Sequence, residues 1–240
     1  MKASSRHRRI PTNNAMGWSS NTLNELSELF VEDCREHQGR VLDIGAALGI
    51  ASLAALEAGA RVVANDTDPE HLRQIELQAR PELLERLELR TGRFPRQLPL
   101  EEASFDAVHA SNIFHFLTGR QLEVGAQSLH HALKPGGKLF AIAATPYMST
   151  FQDFAGAYAA RKAAGEAWPG WVENIRSISK HRLLSRLPKS IHLLDDTVLP
   201  RIFVAAGFHI ERCWLFRRRD LPGSLHLDGR ESVGLIARKI

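Results

Sequence analysis

The sequence predicts an α/β domain built on a doubly wound, mostly parallel sheet of seven strands, with an antiparallel last strand and a helical insertion after the fifth strand. Three observations lead there. Short β-branched and aliphatic runs alternate with longer helical patterns between residues 40 and 144, the mark of strand–helix units on a parallel sheet. A small-residue turn, "DIGAALG" at 43–49, separates the first apolar run from its helix. The last two strand-like runs are joined by a turn containing Pro and Gly rather than by a helix, which suits antiparallel pairing.

The elements follow in order. Thr22 with Glu25 offers a capping box for a helix on which Leu23, Leu26, Phe30 and Cys34 recur at helical spacing, and Gly39 would end it. Residues 40–44, "RVLDI", read as the first buried strand, and the next helix runs through Ala58 to a stop at Gly59. "RVVAN" (61–65) is the second strand; Asp68 and Pro69 then look like the N-cap and first-turn proline of a helix carrying Leu72 and Ile75. "RLELR" (86–90) and "FDAVHAS" (105–111) are strand-like, and Thr118 with Gln121 offers another capping box for a helix ending at "LKPGG". "KLFAIAA" (138–144) is the fifth strand. Residues 146–190 break the rhythm: they are helical in composition, with "EAWPGW" as a turn. A short helix ending "AAGF", then "HIERCWLF" (209–216) and "SVGLIARK" (232–239), complete the pattern.

A chain of 240 residues with 44% hydrophobic content supports one large domain, or one domain with an insertion. No apolar run approaches the ~18 residues that span a bilayer. "MKASSRHRRI" lacks the apolar segment of a secretory signal, so a cytoplasmic protein is expected. Cys34 and Cys213 are too few for a disulfide framework or a cysteine-built metal site. Lys2, Arg6, Arg8 and Arg9 alone match the formal net charge of +4, so the remainder is neutral. A flexible, solvated basic tail at 1–9 is favoured over a nucleic-acid arm. The resulting division is a tail at 1–9, a ligand-binding domain at 10–145 and 191–240, and a helical insertion at 146–190.

The turn at 43–49 lets a ligand approach the backbone closely, and Gly45 or Gly49 can take unusual dihedrals. Ligands of open α/β sheets settle outside the carboxyl ends of the strands, near the switch point. Asp66, ending the second strand, suits a ribose diol. Dinucleotides and S-adenosylmethionine both use this arrangement. Asp43 suits an amino acid's ammonium and would sit badly beside a pyrophosphate, and the turn lacks the full G-x-G-x-x-G of dinucleotide sites.

In this order and spacing, the turn, "FDAVHASNIFHFL" and "HHALKPGGKLFAI" resemble the class I S-adenosylmethionine-dependent methyltransferases, over residues 39–145 and again over 195–240. The resemblance implies S-adenosylmethionine as cofactor, held by Asp43, Gly45, Ala46, Ala47, Gly49, Asp66 and Thr67. Gly92, Arg93 and Phe94 would lie near adenine, and Ser111 and Asn112 near the amino acid part or the acceptor. Two positions depart from the family pattern. Ala47 replaces the middle glycine of D-x-G-x-G-x-G, narrowing the pocket by a methyl group. Arg93 stands where the family often places an acid for the adenine amino group, which leaves backbone groups and Phe94 as an apolar wall.

Methyl transfer chiefly needs alignment of a nucleophile, and a general base only where the acceptor holds its proton. His115, after the fourth strand, is the candidate base, since a free imidazole titrates near 6.5; local packing or capping is the plainer reading. The sequence has no Asn-Pro-Pro-Tyr after that strand, no cysteine placed as a nucleophile and no paired acids, so no metal is expected and small-molecule O-, N- or C-methylation remains. In many members a segment after the fifth strand covers the acceptor pocket. Residues 146–190 are the candidate for that lid here, with Tyr147, Phe151, Phe154, Tyr158, Trp168 and Trp171 as candidate acceptor contacts, or simply as the core of the insertion. Seven basic residues against three acids give this segment +4, which would attract an anionic acceptor or merely form a solvated face. Two rival readings stand beside the small-molecule enzyme. An RNA or protein methyltransferase rests on the basic tail and insertion, with nucleic acid not favoured, and a non-catalytic cofactor-binding module rests on Ala47 and Arg93. Nothing in the sequence sets the oligomeric state.

Overall fold

The computed structural model describes residues 9–14 and 16–240. The expected flexible tail, apart from Arg9, lies outside the described residues. The chain opens with β1 (Arg9–Pro11) and β2 (Trp18–Ser20), an antiparallel hairpin. Then follow α1 (Glu25–His37), β3 (Arg40–Ile44), α2 (Ile50–Glu57), β4 (Arg61–Asp66), α3 (Pro69–Gln78) and β5 (Leu87–Thr91). The second half runs β6 (Phe105–Ser111), α4 (Gly119–Ala132), β7 (Leu133–Ala144), α5 (Gln152–Ala163), β8 (Trp171–Val172) and β9 (Ile191–His192). It closes with α6 (Val198–Ala205), β10 (Phe208–Phe216) and β11 (Ser232–Lys239).

Seven strands form one sheet in the order β10-β11-β7-β6-β3-β4-β5. The five strands from β3 to β7 pair parallel, and β11 runs antiparallel to both its neighbours, as the sequence led us to expect. Both faces of this sheet are buried, which explains its near-continuous apolar strands. Alternation along β7 sends Leu139, Ala141 and Ala143 into a cluster with Phe203, Leu199 and Leu129 of the flanking helices. Phe140 and Ile142 enter the opposite cluster, with Phe30, Leu56 and Ile75. From β3 the chain winds outward to β5 on one side and returns to β6 on the other. The switch point therefore lies at the carboxyl ends of β3 and β6.

Local signals hold at α3 and α4. Asp68 accepts from Glu70 N at 2.9 Å with Pro69 in the first turn, and the Thr118–Gln121 box is complete. At α1 the cap is Asn24, which accepts from Ser27 N at 2.9 Å, not Thr22. That helix ends on Gln38 in a left-handed turn, one residue before Gly39. Residues 146–190 hold one true helix, α5; beyond it come short 3₁₀ turns and the two-residue pairing of β8 with β9. Phe154, Tyr158, Val172, Ile175, Leu184 and Leu193 form a satellite core there. Lys162 of α5 donates to buried Asp195 at 2.6 Å, tying this segment to the start of α6. Burial pushes the Asp195 carboxyl up, but Lys162 and the Val198 and Thr197 donors outweigh it and bring its pKa down to about 2. Among the described residues no helix is long and apolar enough to cross a membrane.

Candidate active site

A cleft of about 330 Å³ opens over the carboxyl ends of β3, β4 and β6, at the switch point. Its roof comes from two distant parts of the chain: residues around β2, including Met16, Gly17 and Trp18, and the turn carrying Leu183, Leu184 and Leu187. The two pieces touch, with the Arg186 guanidinium 5.5 Å from the Trp18 ring centre.

One half of the cleft is built on the turn after β3. Gly45 has φ +70°, and a Cβ there would stand 2.4 Å from Ile113 Cγ2, so only glycine fits. Ala47 also adopts positive φ, and its N–H donates to Asp66 Oδ2 at 2.9 Å. Asp66 Oδ1 is held by Asp68 N at 2.9 Å and His71 Nδ1 at 3.2 Å. Fully buried His71 accepts from Asn13 N through Nε2 at 3.1 Å, so its proton sits on Nδ1 and it joins the roof to Asp66. Asn14 reaches Thr67 Oγ1 at 3.2 Å. Deeper in, Asp43 Oδ1 lies 2.7 Å from His109 Nδ1, and Oδ2 accepts from the Ser52 hydroxyl at 2.6 Å. Gly92, exposed Arg93 and buried Phe94 edge this half beyond Asn65, whose side chain donates to Gly92 O at 3.0 Å.

The other half is mostly apolar: Phe116, Leu117, Met148, Phe151, Leu221 and Leu225 line it with the roof leucines. Its charged groups are Arg218 and Asp220, both buried and ion-paired with each other. Arg218 Nη1 also donates to Asn112 Oδ1 at 2.6 Å, and Asn112 Nδ2 donates to Ser111 Oγ at 3.1 Å. His115 lies here, buried, with Nδ1 accepting from Ala144 N at 3.4 Å. Burial, helped by the Arg218 charge, pushes its pKa down to about 3. The ring is therefore neutral near pH 7, with its proton on Nε2.

Asp43, Gly45, Ala46, Ala47, Asp66, Thr67, Gly92, Arg93, Phe94, Ser111, Asn112, His115 and Phe151 are thus brought together around one cleft. Six candidates lie elsewhere. Gly49 caps α2 with φ +75° and backs onto Ile75, shaping the turn from behind. Phe154 and Tyr158 point into the satellite core, and Tyr147 packs beside them under the Arg230 guanidinium, 4.1 Å from its ring. Trp168 and Trp171 line a separate hollow with Arg120, Arg161 and Glu166, and both meet the buried His192 edge-on. None of the seven basic residues of 146–190 lines the main cleft, so their charge gives it no attraction for an anion at close range. Arg218, Asp220, His109, Ser27, Asn14 and Trp18 line it without having been singled out. Only His109 had a legible signal: it is the register partner of Asp43 once β3 and β6 are known to be neighbours.

The cleft fits the expected adenosyl ligand. Gly45, Ala46 and Ala47 leave its floor open, and Asp66 Oδ2 keeps a lone pair beyond the Ala47 bond.

Residues 41–137 match the family model described as a methyltransferase domain. No curated protein matches the chain. Among solved structures, an S-adenosylmethionine-dependent methyltransferase from Mesorhizobium loti superposes with a TM-score of 0.64 at 18% identity, over 89% of this chain and 98% of that one. One from Methanosarcina mazei gives 0.63 at 18% identity, over 84% and 92%. The 1,6-didemethyltoxoflavin-N1-methyltransferase of Burkholderia thailandensis gives 0.59 at 16% identity, over 90% and 78%. Residues 41–137 therefore carry a methyltransferase domain, on the fold of the S-adenosylmethionine-dependent methyltransferases.

Proposed function

We propose that this enzyme methylates a small, uncharged and largely apolar molecule held in the second half of the cleft. The observation that carries the reading is the lining of that half: apolar walls under a roof, with its only buried cation among the described residues, Arg218, already paired to Asp220. An anionic acceptor, which the basic surplus of 146–190 suggested, finds no unpaired cation among the described residues that line this half. The bound ligand of the Burkholderia relative, 1,6-didemethyltoxoflavin, is likewise a small molecule.

In this reading Asp66 and Thr67 receive the cofactor's ribose, Gly45, Ala46 and Ala47 leave room for its chain, and Asp43 faces its ammonium. Gly92, Arg93 and Phe94 flank the adenine, with Ser111 and Asn112 at the junction of the two halves. The cofactor supplies an electrophilic methyl group on a sulfonium. The apolar walls exclude water and hold the acceptor in line with that group. His115 acts as a hydrogen-bond donor through Nε2–H rather than as the expected base, because its other nitrogen already accepts from Ala144. Arg218 and Asn112 offer further polar contacts to an acceptor oxygen or nitrogen. Residues 146–190 and the β1–β2 hairpin form the cover, with Phe151 and the roof leucines as the acceptor's apolar contacts.

Calorimetry with S-adenosylmethionine and S-adenosylhomocysteine tests the cofactor half; no binding at millimolar ligand removes the reading. With S-adenosylhomocysteine bound, matched pairs of aromatic esters and their carboxylates test the other half. The esters should bind more tightly, and preference for the carboxylates would overturn the uncharged acceptor. Tight, steeply salt-dependent binding of RNA would favour the nucleic-acid alternative.

A further inference from the structure

Asp43 and His109 sit opposite each other on adjacent parallel strands, β3 and β6. A buried chain of hydrogen bonds runs through them. Ser52 Oγ donates to Asp43 Oδ2 at 2.6 Å, Asp43 Oδ1 meets His109 Nδ1 at 2.7 Å, and His109 Nε2 meets Ser27 Oγ at 2.9 Å. Asp43, His109 and Ser27 are no more than 3% exposed, Ser52 is fully buried, and Phe30 stacks on the imidazole at 4.8 Å. With a neutral ring every bond is satisfied: Nδ1–H donates to Asp43 and the Ser27 hydroxyl donates to Nε2. Among the described residues, His109 is the only group paired with Asp43 that can carry positive charge. With His109 neutral, Asp43 is a buried carboxylate held by two neutral donors and no cation. Such a charge is costly until a cation joins it. Asp43, His109 and Ser27 all line the cleft.

We propose that His109 is a positioning residue, braced by Ser27, that holds Asp43 as a carboxylate turned toward the cofactor's ammonium. The chain then selects ligands with an amino acid tail over those with an adenosyl group alone. This rests on the role given to Asp43 above. The His109 ring does not touch the reacting methyl; it acts through Asp43, and α1 takes part through Ser27.

Two probes separate this role from general stability. S-adenosylhomocysteine carries the ammonium, whereas 5′-methylthioadenosine shares its adenosyl thioether but lacks the tail. His109→Phe keeps the shape and the stacking on Phe30 but removes both hydrogen bonds. It should weaken S-adenosylhomocysteine about tenfold or more while 5′-methylthioadenosine changes by less than about twofold. His109→Asn, which keeps a donor toward Asp43, should recover most of the loss. Equal losses for both probes, or none for either, overturn the proposal. If His109→Phe does not fold, Ser27→Ala carries the test: the same selective loss, smaller in size, supports the bracing, and an unchanged ratio refutes it. Nitrogen NMR of the free protein adds an independent check, since protons on both nitrogens of His109 would mean that Asp43 already has its counter-charge. Failure of S-adenosylhomocysteine to bind the unaltered protein would instead refute the cofactor reading.

Discussion

Replacing Gly45 by alanine loads two separate costs onto one methyl group. The residue sits at φ +70°, where a Cβ costs about 1–2 kcal/mol against the following carbonyl. The same Cβ would stand 2.4 Å from Ile113 Cγ2, so either the side chain or the turn must shift, and overpacking of this kind costs about 1–3 kcal/mol. Together the change should destabilise the fold by about 2–5 kcal/mol, which for a chain of this size lowers Tm by roughly 10 °C. Thermal and urea unfolding read this directly. Ile113→Ala removes the offending Cγ2, so Gly45→Ala with Ile113→Ala should recover the clash but not the backbone cost, giving a coupling of about 1–3 kcal/mol in a double-mutant cycle. A Gly45→Ala protein within about 1 °C of the parent, or a cycle with no coupling, would mean that the turn does not pack as described.

Other perturbations separate the parts of the molecule. Asp66→Ala should weaken S-adenosylhomocysteine by about 10–100-fold, since hydrogen bonds to a charged group are worth about 1.5–3 kcal/mol; calorimetry should find 5′-methylthioadenosine weakened equally, because both ligands carry the ribose. His115 and His192 are buried neutral, with pKa values near 3 and 4, because burial disfavours their charged forms. As pH falls through about 6.5 the unfolded chain protonates these rings while the folded chain does not, so stability is full above about 7 and declines toward 4. His115→Gln and His192→Gln should each flatten the dependence of the urea midpoint on pH in that window, and an unchanged slope would count against the buried neutral rings. Lys162→Met leaves the buried Asp195 carboxylate without its cation. Because Lys162 is 38% exposed, the expected loss is about 1–2 kcal/mol rather than the larger value for a fully buried pair, measurable as a lower urea midpoint.

The sheet was legible because its strands carry their information locally. Burial on both faces makes "RVLDI" and "KLFAIAA" continuous apolar runs, and caps such as Asp68–Pro69 mark the helices between them. The half of the cleft built on the turn after β3 was legible for the same reason: that turn and Asp66 sit at strand ends that the sequence already locates. The roof was not. β1 and β2 are three residues each, and β8 and β9 two, too short for any period to register. The helical spacing of Phe151, Phe154 and Tyr158 spoke equally for cleft and core; all three join the satellite core, and of them only Phe151 also lines the cleft. Arg218 and Asp220 could be read only as a charged turn, since their burial depends on β10 and β11 returning beside the loop after β6. At α1 the helix begins at Glu25, so the cap position falls on Asn24, whose Oδ1 accepts from Ser27 N, and not on Thr22.

The position of β11 bears on how the sheet is completed. This strand, residues 232–239, follows β10 in the chain yet is flanked by β7 and β10, so it is an interior member of the sheet. Until it docks, β7 exposes one edge of unpaired backbone and β10 has no sheet partner, while Phe203 of α6 against Phe208, 5.6 Å between ring centres, ties β10 to the helix layer. The sheet therefore keeps an open, sticky border for as long as β11 is undocked. A change that unseats β11 would reopen that border.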